Sequence, residues 1–277
     1  MQTLTLGFSP CPNDTHIFYA LAHGRIDRAG LSFMERLEDV ETLNRLALEC
    51  VLDVSKVSCH ALGFIRDEYC VLRAGGALGK GCGPLVVARD FSDMAGLKGK
   101  KVALPGRYTT AALLFRLWNS GCGEEVFMPF HLIMDAVEKG TVDAGVIIHE
   151  SRFTYASYGL HKVADLGDWW EKETGNPIPL GCVVARRSLG TESLCHIEQM
   201  LHDSILFANK NPDEVNRFIR RHSQEMSDEV CAAHIKLYVN DYSLDLGHEG
   251  KSALEALLAR AETKGLIPES NNNLFIK

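Results

Sequence analysis

The 277-residue sequence lacks the features by which nucleic-acid-binding and membrane proteins are usually recognised. It has no run rich in lysine and arginine, and its formal net charge at pH 7 is −7. A protein that grips a nucleic-acid backbone needs a basic face that displaces counterions. The apolar runs, such as residues 142–148, are far shorter than the ~20 residues that cross a bilayer. We therefore expect neither nucleic acid nor a membrane as a partner.

Metal and disulfide motifs are also missing, although the chain has nine cysteines. None forms a Cys-x-x-Cys pair, and no group of cysteine and histidine has the spacing of a zinc site. Reduced cysteines that serve as small apolar residues are typical of a reducing compartment. The strand-like residues 3–8 come almost directly after the first methionine, where a secreted protein has a basic and apolar leader. These patterns predict a cytoplasmic protein without a metal site.

The motifs of familiar cofactors and activated nucleophiles are absent as well. The sequence contains no phosphate-binding Gly-x-x-x-x-Gly-Lys, no Gly-x-Gly-x-x-Gly after a strand and no Gly-x-Ser-x-Gly turn. The glycines of residues 79–83 precede a predicted strand, which is the wrong context for a phosphate loop. We expect no cofactor.

Short apolar runs that alternate with helical patterns make up most of the chain. Strands are predicted at Leu4–Phe8, Leu31–Leu37, Asp53–Val57, Tyr69–Arg73, Pro84–Ala88, Lys101–Leu104, Glu125–Pro129 and Val142–Ile148. Helices are predicted at Asp14–His23, Val40–Cys50, Thr109–Ser120 and Ile133–Lys139. Strands interleaved with helices in this way indicate an α/β protein with parallel sheets.

The chain from about Ser188 onward has a helical pattern instead. Residues 194, 197, 201, 205 and 208 are apolar and keep the 3.6-residue spacing of a buried helix face. Asn211 and Pro212 predict the cap and first residue of a further helix. Another helix is predicted at Lys251–Lys264, ending at Gly265. We expect this third of the chain to pack back onto a sheet built earlier.

An internal echo divides the chain into two lobes. The run Gly83–Arg89 resembles Leu180–Arg186, and these two apolar strands bracket the second series of strands and helices. We expect them to be paired hinge strands that carry the chain into an inserted lobe and back. The predicted domains are therefore lobe 1 (residues 1–88 and 186–277) and lobe 2 (residues 89–185), with a central cleft between them.

Four segments are expected to line this cleft, since ligands of open parallel sheets bind beyond the carboxyl ends of the strands. They are residues 9–15, 55–58, 107–110 and 149–152. A turn that enters a helix presents unpaired N–H groups, which favour an anion. Thr109 and Thr110 add hydroxyl groups, and Arg107 and Arg152 are candidate partners of a carboxylate. The pattern predicts a small anionic ligand.

A plainer interpretation exists for several of these residues. Asn13 or Asp14 is equally consistent with a cap of the first helix, and Thr109 with a cap of a later one. Arg107 is consistent with a solvated side chain.

His149 is the sharpest catalytic candidate, because it follows a strand that is predicted to be buried and would meet the cleft. Histidine is the side chain best suited to proton transfer near neutral pH. A structural or solvent-facing role is the alternative for any single histidine. His16 and His60 are weaker candidates near the same cleft, and Glu150 is assigned no role.

Several motifs together resemble the 1,4-dihydroxy-6-naphthoate synthase family of menaquinone biosynthesis. They are the segments Gly7–Thr15, Ser55–Ser58, Gly81–Val87, Pro105–Ala111 and His149–Glu150, which cover the chain from its start to about Arg186. The resemblance implies a type II periplasmic-binding-protein fold. It also implies that cyclic dehypoxanthine futalosine, of the futalosine pathway, is converted to 1,4-dihydroxy-6-naphthoate by a carbon–carbon lyase.

The resemblance further implies roles for individual residues. His149 matches the proposed base of the family. Ser55, Lys56 and Val57 match one substrate-contacting segment. Thr109 and Thr110 match the other.

Two alternatives from other classes stay open. One is a non-catalytic solute-binding or sensory protein, because fold alone does not decide function. The other is chorismate dehydratase, a sister enzyme of the same pathway, against which the Ser-Pro-Cys-Pro-Asn-Asp-Thr turn argues. The sequence also leaves the oligomeric state open, with a homodimer among the alternatives.

Overall fold

The structure, a computed structural model, describes residues 2–119, 123–223 and 227–276. Its backbone contacts separate two compact units, which the chain joins by one outgoing and one returning connection. The first unit comprises residues up to Gly79 and from Pro179 onward, and the second comprises Lys80–Ile178. Ser120, the predicted end of one helix, and Cys122 lie outside the described residues.

The described residues form eleven β-strands, all of them short. They are β1 (Gln2–Phe8), β2 (Leu31–Leu37), β3 (Val54–Ser58), β4 (Tyr69–Val71), β5 (Ala77–Gly79), β6 (Leu85–Ala88), β7 (Lys101–Leu104), β8 (Glu124–Phe127), β9 (Ala144–Ile147), β10 (His161–Asp165) and β11 (Ile178–Arg186).

The same residues form twelve α-helices. They are α1 (Pro12–Ala22), α2 (Val40–Leu48), α3 (Cys59–Ile65), α4 (Thr110–Asn119), α5 (Ile133–Glu138), α6 (Ser151–Thr154), α7 (Leu166–Thr174), α8 (Thr191–Lys210), α9 (Pro212–His222), α10 (Asp228–Tyr238), α11 (Asp241–Leu244) and α12 (Gly247–Thr263).

The sheet of the first unit has the strand order β2-β1-β3-β11-β4, and β5 also pairs with β11. Strand β1 runs parallel to both β2 and β3. The returning strand β11 runs antiparallel to β3 and to β4. Because β1 and β3 are parallel, the segment that begins at Ser9 and the end of β3 at Ser58 lie at one edge of this sheet.

The sheet of the second unit has the strand order β10-β6-β9-β7-β8. Strand β7 is parallel to β8 and β9, whereas β6 is antiparallel to β9 and to β10. The turns after β7, β8 and β9 therefore leave the sheet at the same edge. Both sheets are mixed, because β11 runs antiparallel to β3 and β4 and β6 runs antiparallel to β9 and β10, whereas the sequence predicts parallel sheets.

The two echoing strands belong to different sheets. Strand β6 lies in the sheet of the second unit, and β11 lies in that of the first. They are not hydrogen-bonded to each other. Backbone contacts group residues 80–88 with the second unit and 179–185 with the first, whereas the sequence places the lobe boundaries at 88/89 and 185/186. The similar sequences of the two strands do not determine which sheet each strand joins.

The helices after β11 cover the first sheet, as their spacing predicts. Helix α8 buries Leu194, Ile197, Leu201 and Ile205 against the side chains of β1 and α1. Asn211 is the N-cap residue and Pro212 the first residue of α9, as predicted, although the Asn211 side chain donates to the Phe207 carbonyl of α8 and makes no capping bond to α9.

No helix among residues 2–119, 123–223 and 227–276 combines the length and the apolar character needed to cross a lipid bilayer.

The backbone at Gly83, just before β6, packs closely against the backbone at Gly167. A Cβ atom at Gly83 would lie 2.2 Å from the backbone nitrogen of Gly167, at the start of α7. A Cβ at Gly145 of β9 would meet Ile133 at 2.3 Å, but there the neighbour is a side-chain methyl group. Backbone cannot move aside as a side chain can, so only glycine fits at position 83.

We predict that Gly83→Ala lowers the free energy of unfolding by about 3 kcal/mol or more, because the overpacking strikes backbone. Gly145→Ala is the matched control in the same unit, and we expect a loss of about 1 to 2 kcal/mol because Ile133 can shift. Urea denaturation of both variants measures the difference. An equal or larger loss in Gly145→Ala would contradict the backbone contact.

Candidate active site

A buried ion pair lies at the edge of the first sheet. Lys56 of β3 places its Nζ 2.9 Å from Asp14 Oδ1 in the first turn of α1, and the two side chains are only 6% and 5% exposed. The ammonium also donates to the carbonyl of Gly75 at 3.0 Å. Asp14 and Gly75 are the two hydrogen-bond partners of this ammonium within the described residues. One of its three N–H groups therefore remains for a ligand.

The Asp14 carboxylate is surrounded by donors. Its Oδ2 accepts from the Ser9 hydroxyl at 2.7 Å and from the Ser9 backbone N–H at 3.2 Å. Its Oδ1 accepts from the Asn13 amide at 2.9 Å in addition to Lys56. Four donors therefore converge on this one carboxylate, whose oxygens only accept when it is ionised. The Ser-Pro-Cys-Pro-Asn-Asp turn thus folds around this carboxylate, and neither Asn13 nor Asp14 is a simple helix cap.

The two residues that flank Lys56 face away from it. Side chains alternate along a strand, so Ser55 and Val57 point to the opposite side of the sheet. Ser55 Oγ packs close to Gly7, where an added Cβ atom would lie 3.0 Å from it. The same hydroxyl donates to the Lys56 carbonyl at 3.0 Å. Ser55 and Val57 are both 0% exposed. Of residues 55–57, only Lys56 has its side chain on the side of the sheet where Asp14 lies.

Two further polar residues meet at the end of β3. The Asn44 amide of α2 donates to Ser58 Oγ at 3.1 Å, and its Oδ1 accepts from the Ser58 backbone N–H at 2.8 Å. Both residues are buried. Neither is among the predicted site residues, although Ser58 lies in the predicted segment 55–58. Asn44 was missed because, from the sequence alone, it is one polar position of an amphipathic helix.

Thr109 caps helix α4 in the second unit. Its hydroxyl donates to the Gly106 carbonyl at 2.9 Å and accepts from the Ala112 N–H at 3.2 Å. The capping interpretation therefore holds for this side chain. Thr110, the first residue of α4, is likewise buried. The start of α4 adds N–H groups that have no carbonyl behind them in the helix.

The two predicted arginines have different surroundings. Arg107 is exposed, and its guanidinium carbon lies 6.0 Å from the ring centre of Phe127. Arg152 forms a salt bridge of 2.6 Å with Asp165, and the two side chains are 16% and 13% exposed. It also donates to the Gly83 carbonyl. Arg152 therefore ties α6 to β10, which leaves Arg107 as the arginine in contact with solvent.

His149 follows β9 and has an unusual backbone. Its φ is 56°, in the left-handed region. For a residue with a side chain this conformation costs roughly 1–2 kcal/mol, because Cβ approaches the following carbonyl oxygen. Phe130, in the turn after β8, contacts the imidazole edge-on with ring centres 5.1 Å apart. Strained residues held by their surroundings cluster at functional sites, which supports His149 over an ordinary loop residue.

The weaker histidine candidates have structural partners. His16 Nε2 lies 2.9 Å from Asn209 Oδ1, and burial lowers the pKa of His16. A neutral imidazole is therefore favoured there. His60 is 1% exposed and packs against the Phe64 ring. Glu150, beside His149, keeps Oε2 buried without a hydrogen-bond partner among the described residues.

No disulfide joins two cysteines of the described residues, and most of these cysteines are buried. Burial raises the pKa of Cys70 to about 11 and that of Cys82 to about 12, and it places that of Cys59 well above its ordinary value. Thiols in this state are poor nucleophiles at neutral pH. No three His, Cys, Asp or Glu side chains of the described ranges are grouped as a metal site would need.

Comparison with known proteins gives the family. The profile of a family described as menaquinone biosynthesis matches residues 4–263. The chain belongs to this family. A 1,4-dihydroxy-6-naphthoate synthase of Thermus thermophilus is 49% identical over 280 residues, covering 100% of both chains. One of Streptomyces coelicolor is 48% identical over 272 residues, covering 96% of this chain and 95% of that one.

Solved structures confirm the predicted periplasmic-binding-protein-like α/β fold of this family member. A crystal structure of a protein from Archaeoglobus fulgidus matches with a TM-score of 0.90 and 40% identity, covering 96% of this chain and 98% of that chain. The alkanesulfonate-binding protein of Xanthomonas axonopodis matches with a TM-score of 0.73 and 13% identity, covering 96% and 94%. At that identity the second likeness concerns the fold alone.

The cap of α4 allows a test of what Thr109 does in this menaquinone-family chain. We predict that Thr109→Val lowers the free energy of unfolding by about 1 kcal/mol, because the Ala112 N–H loses its acceptor. Thr109→Ser keeps the hydroxyl and should stay close to the wild type. Urea denaturation measures both. An unchanged midpoint for Thr109→Val would contradict the capping role of the hydroxyl.

Proposed function

We propose that this protein converts cyclic dehypoxanthine futalosine to 1,4-dihydroxy-6-naphthoate in the cytoplasm, as a carbon–carbon lyase of menaquinone biosynthesis. The observation that carries the proposal is the near-50% identity along the whole chain to two relatives named 1,4-dihydroxy-6-naphthoate synthase. The substrate is a small anion, and the reaction needs no cofactor.

His149 is the general base of the proposed reaction. Support comes from its position after β9, its half-buried imidazole and its left-handed backbone. It removes a proton from the substrate and so starts a carbon–carbon cleavage that leaves an aromatic bicycle. Aromatisation supplies driving force, so a base and good positioning suffice. General-base catalysis of this kind typically contributes ~10²- to 10⁴-fold to the rate.

Lys56 and the start of α4 bind polar groups of the substrate in this proposal. The remaining N–H of Lys56 donates to a substrate oxygen, and a charge-assisted hydrogen bond of this type is stronger than a neutral one. The start of α4 favours the substrate carboxylate, since the start of a helix carries partial positive charge. Ser55, Val57 and Thr109 then act through the backbone, because their side chains are engaged elsewhere.

The activity itself is tested with purified protein and cyclic dehypoxanthine futalosine, without added cofactor. We expect the naphthoate to appear, detected by its absorbance and mass. Binding without turnover would favour a solute-binding or sensory protein of the same fold. Turnover of chorismate instead would identify a chorismate dehydratase.

The role of His149 gives a separate prediction. We expect His149→Asn to keep substrate affinity within about tenfold and to lose at least ~100-fold in turnover, because the base is gone while the site persists. His161, an exposed histidine at the start of β10, is the matched control. His161→Asn should leave both parameters unchanged. Near-normal turnover in His149→Asn would remove this residue from the mechanism.

A further inference from the structure

A histidine of the C-terminal helices is connected through Asn13 to the buried ion pair of the first unit. His234 of α10 is 0% exposed, and its Nε2 lies 3.0 Å from Asn13 Oδ1. The two residues are separated by 221 positions in the sequence. Tyr238 of the same helix packs its ring against the imidazole, with ring centres 4.7 Å apart. His234 is thus held on one side by an aromatic ring and on the other by the Asn13 amide.

The direction of each hydrogen bond in this chain follows from the chemistry of the groups. The Asp14 carboxylate only accepts, so the Asn13 atom that faces it at 2.9 Å is the amide nitrogen. The Asn13 oxygen then faces His234 and must accept. His234 therefore carries its proton on Nε2 and donates it. The chain runs from His234 through Asn13 to Asp14.

The same carboxylate oxygen holds Lys56. Asp14 Oδ1 accepts from Asn13 and from Lys56, each at 2.9 Å. The hydrogen bond from His234 holds the oxygen end of the Asn13 amide. It thereby anchors the amide nitrogen on Asp14 Oδ1, the same oxygen that accepts from Lys56.

We propose that His234 is a positioning residue, which acts through Asn13 and Asp14 to fix the direction in which Lys56 donates to the substrate. The inference rests on the function proposed above for Lys56. A purely structural role is the alternative, since helices α1 and α10 pack against each other. Ser204 of α8 provides the comparison, because its hydroxyl is also 0% exposed and also binds α1, at Leu21 and Ile17.

The kinetic test compares two replacements of His234. His234→Gln keeps a donor near the Nε2 position and should hold kcat/KM within about threefold, whereas His234→Leu removes it and should lower kcat/KM about tenfold. Ser204→Ala should lower thermal stability and leave kcat/KM within about twofold. If His234→Leu changes only the stability, like Ser204→Ala, the residue is structural and the inference fails.

A double-mutant cycle tests the route through Lys56. In the Lys56→Met background we expect His234→Leu to change kcat/KM less than about twofold, because residues that act as one unit are not additive. A further tenfold loss in that background would show that His234 acts by another route. An unaltered kcat/KM in Lys56→Met alone would instead remove Lys56 from the proposed function.

A measurement without substrate separates the two proposals. In protein labelled with ¹⁵N at histidine and lysine, we expect His234 to show a protonated Nε2. The Lys56 ammonium signal should shift in His234→Leu and stay in place in His234→Gln and Ser204→Ala. A proton on Nδ1, or a Lys56 signal that ignores His234→Leu, would overturn the inference even if the protein proves inactive on the futalosine.

Discussion

The candidate site of the first unit depends on one buried ion pair, Lys56 with Asp14. A charge that is removed from water is tolerated only when it is paired and its remaining hydrogen-bonding capacity is used. The fold meets this requirement with groups from distant parts of the chain: a turn after β1, a carbonyl at Gly75 and, through Asn13, helix α10. In the proposed function, Lys56 of this pair contributes a single N–H to the ligand, and the groups around the pair fix the direction of that N–H.

The second unit supplies a different kind of group. His149 is held in a strained backbone conformation after β9, with Phe130 against its ring. Its position at the carboxyl end of a strand is the one that parallel α/β sheets commonly use for ligands. Nearby, the start of α4 offers backbone N–H groups, while Thr109 is occupied as its cap. The second unit thus offers an imidazole and a helix start.

Much of this could be predicted from the sequence, for local reasons. Apolar periodicity located β1, β2, β7, α2 and α8. The turns that follow strands pointed to the segments of Asp14 and His149, and the family resemblance pointed to Lys56. Strand direction was not predictable, because the antiparallel course of β11 depends on which sheet edge is open when the chain returns. Long-range partners were not predictable either. His234 reads as a polar position in a helix, and nothing in its local pattern reveals a bond to Asn13. The salt bridge between Arg152 and Asp165 could not be predicted for the same reason.

The central claim is that Lys56, fixed by Asp14, donates its remaining N–H to the molecule on which the protein acts. A crystal structure with 1,4-dihydroxy-6-naphthoate bound tests this most directly. The account predicts an oxygen of the naphthoate within hydrogen-bond distance of Lys56 Nζ, with the bond from Lys56 to Asp14 intact. A naphthoate bound without contact to Lys56, or an ammonium that leaves Asp14 to reach it, would contradict the account.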